Sequence, residues 1–331
     1  MILSISARAA GSGVLCFAVV VAASGAGAAP GVDTAATAAI AATAPQSVIA
    51  ATAPQSAIAG NSGPQESATR WLGPDLEPLP LTEDELLDVL RNGEVIEREA
   101  INIGINGIDR LVLEKDGVRI RAGFRTVDVR DREIRVGDEF YLLFRDSYLF
   151  ECAAYELARS LGISNVPPTV LRRIRGVDGS VQLWVEGLFE DSNDARSPDY
   201  FGWALQLSTM TFFDSLIYNV DRNPGNIQVD HDYKLWMIDH TRAFQSKSAP
   251  FQIERVNNIR RDLWDRLREL GDEDFERIFS GLLEPAQVGF FKDRKDALVK
   301  HFEALIQERG VEAVIFEPRG ADGGPSGRRR P

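Results

Sequence analysis

The apolar pattern of this chain changes period partway along its length, and that change restricts the fold more than any other feature. Between residues 94 and 127 hydrophobic and polar side chains alternate in three short runs, 94–103, 110–114 and 118–127, the period-two signature of strands. Lys115-Asp116-Gly117 joins the last two as a hairpin turn. A helix precedes them, with Thr82 as N-cap, Glu85 at the capping-box position and Gly93 as its stop. A second helix starts at Asp146 or Ser147. It shows Phe150, Ala153, Ala154, Leu157 and Leu161 at helical spacing before Gly162 caps it. Strands over 169–174 and 180–185 lead to a long amphipathic helix over 203–218. After a polar loop come short strands over 227–229 and 235–238, and then three helices between 253 and 307. Strands come first and helices last, which is an α+β arrangement of two lobes. The expected division is a β-rich N-lobe over residues 71–186 and a mainly helical C-lobe over 187–317.

The flanks differ in composition. Residues 1–28 read as a signal peptide: Arg8 supplies the charge, 14–23 is unbroken apolar, and Ala26-Gly27-Ala28 offers an A-x-A cleavage site. The apolar run falls short of the about 20 residues of a membrane-spanning helix, so no integral span is expected in the mature chain. Cys16 follows Leu15 rather than the small residue of a lipoprotein signal. Export to a periplasm or to the exterior is expected from this reading. The alternative is a misassigned start codon and a cytoplasmic protein. Residues 29–70 are dominated by Ala, Thr, Pro, Gln, Ser and Gly, with Asp33, Glu66 and Arg70 as their only charges. A nine-residue unit occurs there twice in tandem, ATAPQSVIA at 42–50 and ATAPQSAIA at 51–59. Without large side chains such a stretch cannot offset its ordering entropy, so it is expected to be a disordered spacer. The tail over 318–331, rich in Gly and Pro and ending in an arginine run, is expected to be disordered too.

Acidic residues number 49 against 37 basic, for a formal charge of −12. The resulting pI near 4.9 argues against a nucleic-acid partner. Cys16 and Cys152 are the only cysteines, so loss of the leader leaves no internal disulfide, and stability must come from a hydrophobic core.

The informative stretch is Asp221-Arg222-Asn223-Pro224-Gly225-Asn226-Ile227, followed by Met237-Ile238-Asp239-His240. Asp221 and Asn226 share a loop that Pro224 and Gly225 force to turn, and Asp239 closes the next hairpin. Phosphoryl transfer from a nucleotide needs three such groups. One carboxylate orients the attacking hydroxyl, while an amide oxygen and a second carboxylate hold Mg²⁺ against the phosphates. The plainer alternative is a turn whose Asp and Asn satisfy their own backbone. An apolar helix before the loop, a hairpin after it and a second Asp beyond favour the chemical reading.

The run from Asp221 to Val229, with Trp236-Met237-Ile238-Asp239-His240 after it, resembles the atypical branch of the protein-kinase-like superfamily. The match is to the D-R-x-x-x-N and I-D segments of phosphatidylinositol 3- and 4-kinases, an idea shared by HipA-type and secretory-pathway kinases. The resemblance implies a two-lobed protein-kinase-like fold, Asp221 as catalytic base, Asn226 and Asp239 as Mg²⁺ ligands (Mn²⁺ being possible), and ATP as phosphoryl donor. Arg222 would be structural or phosphate-facing. Asp239-His240-Thr241 stands where other kinases have D-F-G or D-N-G, so the glycine is missing, and Ala243-Phe244 resembles the close of that motif in the lipid 4-kinases. The resemblance spans residues 104–244 and is specific over 221–244.

A kinase also needs a cation on its third strand, paired to a helix glutamate. Alternation over 118–127 puts Arg119, Arg121, Gly123 and Arg125 on one face. Gly123-Phe124-Arg125 stands where A-x-K would be, Gly123 leaving room for an adenine, and Glu151 is the natural partner of Arg125. A solvated arginine face is the alternative for these arginines. Arg for Lys is not a conservative change at a site built for a point charge. Gly104-Ile105-Asn106-Gly107 could cover phosphates or simply make a turn. Leu183-Trp184-Val185-Glu186-Gly187 falls where the hinge should lie, placing Trp184 and Glu186 beside the nucleotide, although Trp184 could equally belong to the core.

Asp230-His231-Asp232 lacks the glycine and terminal glutamate of a calcium loop. His231 and His240 have no third zinc ligand at a suitable spacing. No G-x-S-x-G or GxxxxGK[ST] occurs. The expected function is an ATP- and Mg²⁺-dependent phosphotransferase acting on a protein, lipid or small-molecule hydroxyl. A pseudokinase or nucleotide-binding scaffold is the alternative.

Overall fold

The computed structural model describes residues 71–101, 107–136, 139–192 and 195–317. The leader, the spacer, Gly104-Ile105-Asn106 and the C-terminal tail lie outside these residues. A short strand pair, β1 (Trp71–Leu72) and β2 (Pro78–Leu79), leads into α1 (Glu83–Asn92). Thr82 caps α1 as its sequence predicts: its hydroxyl accepts from Glu85 N, and the Glu85 carboxylate accepts from Thr82 N at 2.7 Å.

β3 (Glu94–Ile101), β4 (Ile108–Lys115) and β5 (Val118–Arg125) then form an antiparallel meander. Asp116 and Gly117 both have positive φ, 52° and 80°. That is the two-residue turn whose twist suits a hairpin, and it fixes Lys115 opposite Val118. β6 (Asp128–Val136) and β7 (Glu139–Ser147) pair as a separate two-stranded ribbon. The sequence reading has no strands here. Asp128–Val136 is mostly charged and lacks apolar alternation, and Val129 is exposed. A strand without that alternation leaves no period-two signal in the sequence.

α2 (Tyr148–Leu161) starts from Ser147, whose hydroxyl accepts from Leu149 N, and ends at Gly162 in the left-handed region. Its predicted face is wholly buried, as are Glu151 and Cys152. Each such Leu or Phe contributes about 1.5–3 kcal/mol by leaving water. β8 (Thr169–Ile174) and β9 (Val177–Leu183) complete a five-stranded sheet in the order β3-β4-β5-β9-β8, against which α1 and α2 pack.

α3 (Tyr200–Ile217) opens the helical part. The sequence predicts an amphipathic helix, yet Phe212 through Ile217 are buried on consecutive positions. This end of α3 runs through the core, so its sequence is apolar around most of the circumference. β10 (Ile227–Val229) and β11 (Leu235–Met237) form the expected hairpin, followed by β12 (Ile259–Arg260), α4 (Arg261–Glu269), α5 (Asp272–Phe279), α6 (Pro285–Arg309), α7 (Val311–Val314) and β13 (Ile315–Phe316). Phe244, Phe275, Phe279 and Phe291 interlock here, with ring centroids 5.0–6.5 Å apart. The structure is α+β, a β-rich sheet region followed by a helical part. No helix among the described residues is long and apolar enough to cross a membrane.

Candidate active site

α3 ends at Tyr218 in the left-handed region, and the chain turns at once into the Asp221 loop. The turn is locked by side chains. Asn219 Nδ2 donates to Asp214 Oδ1 (2.9 Å), and Asn219 Oδ1 accepts from Asp221 N (3.2 Å). Asn223 caps a short 3-10 turn over Pro224–Asn226. Asn226 Nδ2 donates to Asp221 O at 2.7 Å, which leaves the amide oxygen as the end of Asn226 open to another partner. The Asp221 carboxylate accepts from Asn223 Nδ2 (3.2 Å) and from Arg242 Nη1 (3.1 Å).

Arg222 is structural. Its Nε and Nη2 grip Asp214 (2.9 and 3.0 Å), Nη1 donates to Asn226 O (2.7 Å) and Ile238 O (2.6 Å), and Nη2 also reaches His240 Nε2 (2.9 Å). This one side chain ties the Asp221 loop to the Asp239 segment. An arginine can only donate, so His240 Nε2 accepts and the ring proton sits on Nδ1. That atom lies 3.4 Å from Glu151 Oε2.

Asp239 follows β11 with φ 61°, a conformation Asp tolerates better than most residues. Its Oδ1 accepts from Thr241 Oγ1 (3.2 Å), and its Oδ2 lies 3.5 Å from Arg125 Nη1. Arg125 Nε lies 3.5 Å from Glu151 Oε1. Arg125, Glu151 and Asp239 therefore meet in one group, drawn from β5, α2 and the segment after β11. Burial pushes the Asp239 carboxyl up; the Arg125 charge pulls it down, while the Glu151 and Asp221 charges add to the upward shift. Burial pushes Glu151 up as well, but the His240 hydrogen bond and the Arg125 charge hold it below the usual glutamate value. Arg125 Nε and Glu151 Oε1 are buried without a hydrogen bond to any described residue. The pair is held by charge at a spacing that leaves its bonding capacity unspent.

The remaining predicted positions stand apart from that group. Gly123 faces Ile108, whose Cδ1 would lie 2.6 Å from a Cβ there. The room that the sequence reading assigned to an adenine is filled by this side chain. Glu186 is gripped by Arg121 through Nε (2.6 Å) and Nη2 (2.8 Å), and Trp184 N donates to Arg121 O. Trp184 and Glu186 line a cavity of about 270 Å³ together with Trp71 and Trp236. None of Arg125, Glu151, Asp221, Asn226 or Asp239 lines it.

Sequence reasoning missed Arg242 and Asp146. Arg242 Nε donates to Asp146 Oδ2 (2.9 Å), and Arg242 touches Asp221 as well. Its partners lie 96 and 21 residues away, so no local spacing could reveal them.

No protein-family model matches the chain, and no curated protein matches it. Solved structures do. A hydra Fam20 protein determined with sugar aligns at a TM-score of 0.54 and 16% identity, over 71% of this chain and 92% of its own. The Golgi casein kinase aligns at 0.51 and 16% identity, over 70% of this chain and 77% of its own. The same kinase with Mn/ADP bound aligns at 0.51, again over 70% of this chain. At such identity the likeness is one of fold, and fold alone does not carry function. The chain has an atypical kinase-like α+β fold.

Proposed function

We propose that this protein is an ATP- and divalent-metal-dependent phosphotransferase. One observation carries the reading. Arg125, Glu151 and Asp239 form a single ion-paired group, while Asp221 and Asn226 are bonded to each other on the adjoining loop. The fold supports it, since the Golgi casein kinase aligned above has been determined with Mn/ADP bound.

The donor set fits the implied ligands. Asn226 and Asp239 offer hard oxygens suited to Mg²⁺ or Mn²⁺. Among the described residues no cluster of three or more His, Cys, Asp or Glu could hold a metal unaided. Two protein oxygens plus nucleotide phosphates and water is the usual way Mg²⁺ is held. A divalent ion there would neutralise charge on the phosphates. Arg125 binds phosphate oxygens, and Glu151 fixes its guanidinium. Asp221 orients the acceptor hydroxyl and takes its proton. The acceptor oxygen bonds to the γ-phosphorus as the bond to the bridging oxygen breaks, and ADP leaves with that electron pair. The acceptor is a protein, lipid or small-molecule hydroxyl. The D-R-x-x-x-N loop is the part of this reading akin to lipid kinases. Export through residues 1–28 belongs to the same proposal, a Golgi kinase with this fold being compatible with it.

The test is transfer of labelled γ-phosphate by the full-length protein, to itself or to an extract, with Mg²⁺ and with Mn²⁺. Asp221→Ala should lower transfer about 10²–10⁴-fold while sparing nucleotide affinity, because the base acts on the acceptor. Asp239→Ala should remove the metal-dependent part of nucleotide binding. Transfer that persists undiminished in Asp221→Ala would refute the assignment. One observation favours a second reading, a pseudokinase that binds nucleotide without turnover. Arg125 stands where a lysine is usual and pairs with two carboxylates at once. On that reading Asp221→Ala changes nothing measurable.

A further inference from the structure

Phosphoryl transfer proceeds through a transition state whose charge lies on the transferred oxygens, so a cation beside them contributes much of the rate. Three arginines approach Asp221, Asn226 and Asp239. Arg222 is spent: its donors go to Asp214, two backbone carbonyls and His240. Arg125 sits between Glu151 and Asp239. Between Asp221 and Asn226 the loop carries Arg222, Asn223, Pro224 and Gly225, so it offers no other cation.

Arg242 remains. Its side chain is a quarter exposed, whereas that of Arg222 is only 9% exposed. Asp146, buried at the end of β7 just before the N-cap of α2, holds its Nε at 2.9 Å. With Nε fixed, the guanidinium meets Asp221 through Nη1, and no described residue accepts from Nη2. A planar fork with one edge anchored and the other beside the catalytic loop suits bidentate capture of phosphate oxygens.

We propose that Arg242 is the cation that serves the transferred phosphoryl group, and that Asp146 is the residue that positions it. The inference rests on the phosphotransferase reading and adds to it a group outside the predicted set. Arg242 exchanges no proton. The acceptor proton goes to Asp221, the acceptor oxygen–phosphorus bond forms, the bond to the bridging oxygen breaks, and ADP carries away the electron pair. Throughout, Arg242 stabilises the equatorial oxygens.

The experiment compares full-length wild type, Arg242→Gln, Arg242→Lys and Asp146→Asn in two assays. The first is calorimetric affinity for Mg²⁺–ADP and for Mg²⁺–ATP, which needs no turnover. The second is labelled γ-phosphate transfer. Arg242→Gln should bind ADP as wild type does, bind ATP about tenfold more weakly, and transfer phosphate about 10³–10⁵-fold more slowly. Arg242→Lys keeps the charge but not the fork, so transfer should fall at least about tenfold with ADP affinity unchanged. Asp146→Asn should shift ATP affinity and transfer the same way by less. If Arg242→Gln does not fold, the lysine variant decides. Wild-type transfer in either Arg242 variant, or equal loss of ADP and ATP affinity, overturns the proposal. Wild type that binds no nucleotide overturns the phosphotransferase reading itself, a result separate from either.

Discussion

Replacing Arg222 should cost more stability than any other change near the site, and its contacts set the size. The side chain makes five: two to Asp214, two to the carbonyls of Asn226 and Ile238, and one to His240. Asp214 is itself buried, and among the described residues the other side-chain donor to its carboxylate is Asn219 Nδ2 at 2.9 Å. Arg222→Ala strands that carboxylate, a change that costs about 3–5 kcal/mol for a buried pair. A lysine has three donors, so Arg222→Lys loses at least two contacts, roughly 2–4 kcal/mol at 1–2 each. The double variant Asp214→Leu/Arg222→Met removes both charges. It should recover the part due to the stranded carboxylate, but not the bonds to Asn226 O and Ile238 O. Urea denaturation of the full-length variants at a common m-value measures all three. Arg222→Lys within about 0.5 kcal/mol of wild type would refute the claim that the fork spans both segments. A double variant as unstable as the sum of its parts would refute the claim that most of the cost is a stranded charge.

Two further outcomes follow from the ion-paired group. Arg125→Ala should weaken nucleotide binding and nearly abolish transfer, whereas Arg125→Lys should retain or raise transfer, lysine being the usual cation there; parallel loss in both would count against a phosphate role. Glu151 is held below the ordinary glutamate value, so its ionised form favours the fold. That stability is present above the unfolded-state pKa of about 4.3 and is lost as pH falls through the lower folded value. Thermal melts between pH 6 and 3 should show a flatter acid limb for Glu151→Gln than for wild type, and identical slopes would remove Glu151 as a contributor.

The sequence disclosed what local chemistry dictates. Thr82 with Glu85, Asp116-Gly117, Ser147 and Gly162 each set their own backbone, and each stands where its residue type requires. The pairing of Arg125 with Glu151 was legible because strand alternation and an early helix position both pointed inward. What escaped notice has its partners elsewhere. Asp128–Val136 carries no apolar period because it is mostly charged, and it pairs with β7 in a ribbon of its own. Gly123 reads as an opening in sequence, yet its register partner is Arg110 and the space is filled diagonally by the Ile108 side chain, a neighbour that local spacing does not show. Arg242 had no signal at all, its two carboxylates lying on β7 and on the Asp221 loop.

The departures from the usual kinase pattern around Asp239 compensate for one another. An apolar residue at 240 would strip Arg222 Nη2 of an acceptor and would remove the polar atom that lies 3.4 Å from Glu151 Oε2, both in buried surroundings. His240 faces both at once, Nε2 toward Arg222 and Nδ1 toward Glu151. Thr241 stands where a glycine is usual. Its hydroxyl bonds Asp239 Oδ1, and its carbonyl accepts from Ser147 N at 2.8 Å, tying the segment to the start of the helix that bears Glu151. A glycine there would keep the second bond and lose the first. The left-handed turn that glycine could have taken is instead made by Asp239 itself. Arg125 completes the exchange, since a guanidinium can turn Nε to one carboxylate and Nη1 to another, 3.5 Å from each. A lysine ammonium concentrates the same charge at one point. His240, Thr241 and Arg125 therefore form one electrostatic unit with Glu151 and Asp239, and a single reversion toward the usual residue changes the partners left to the others.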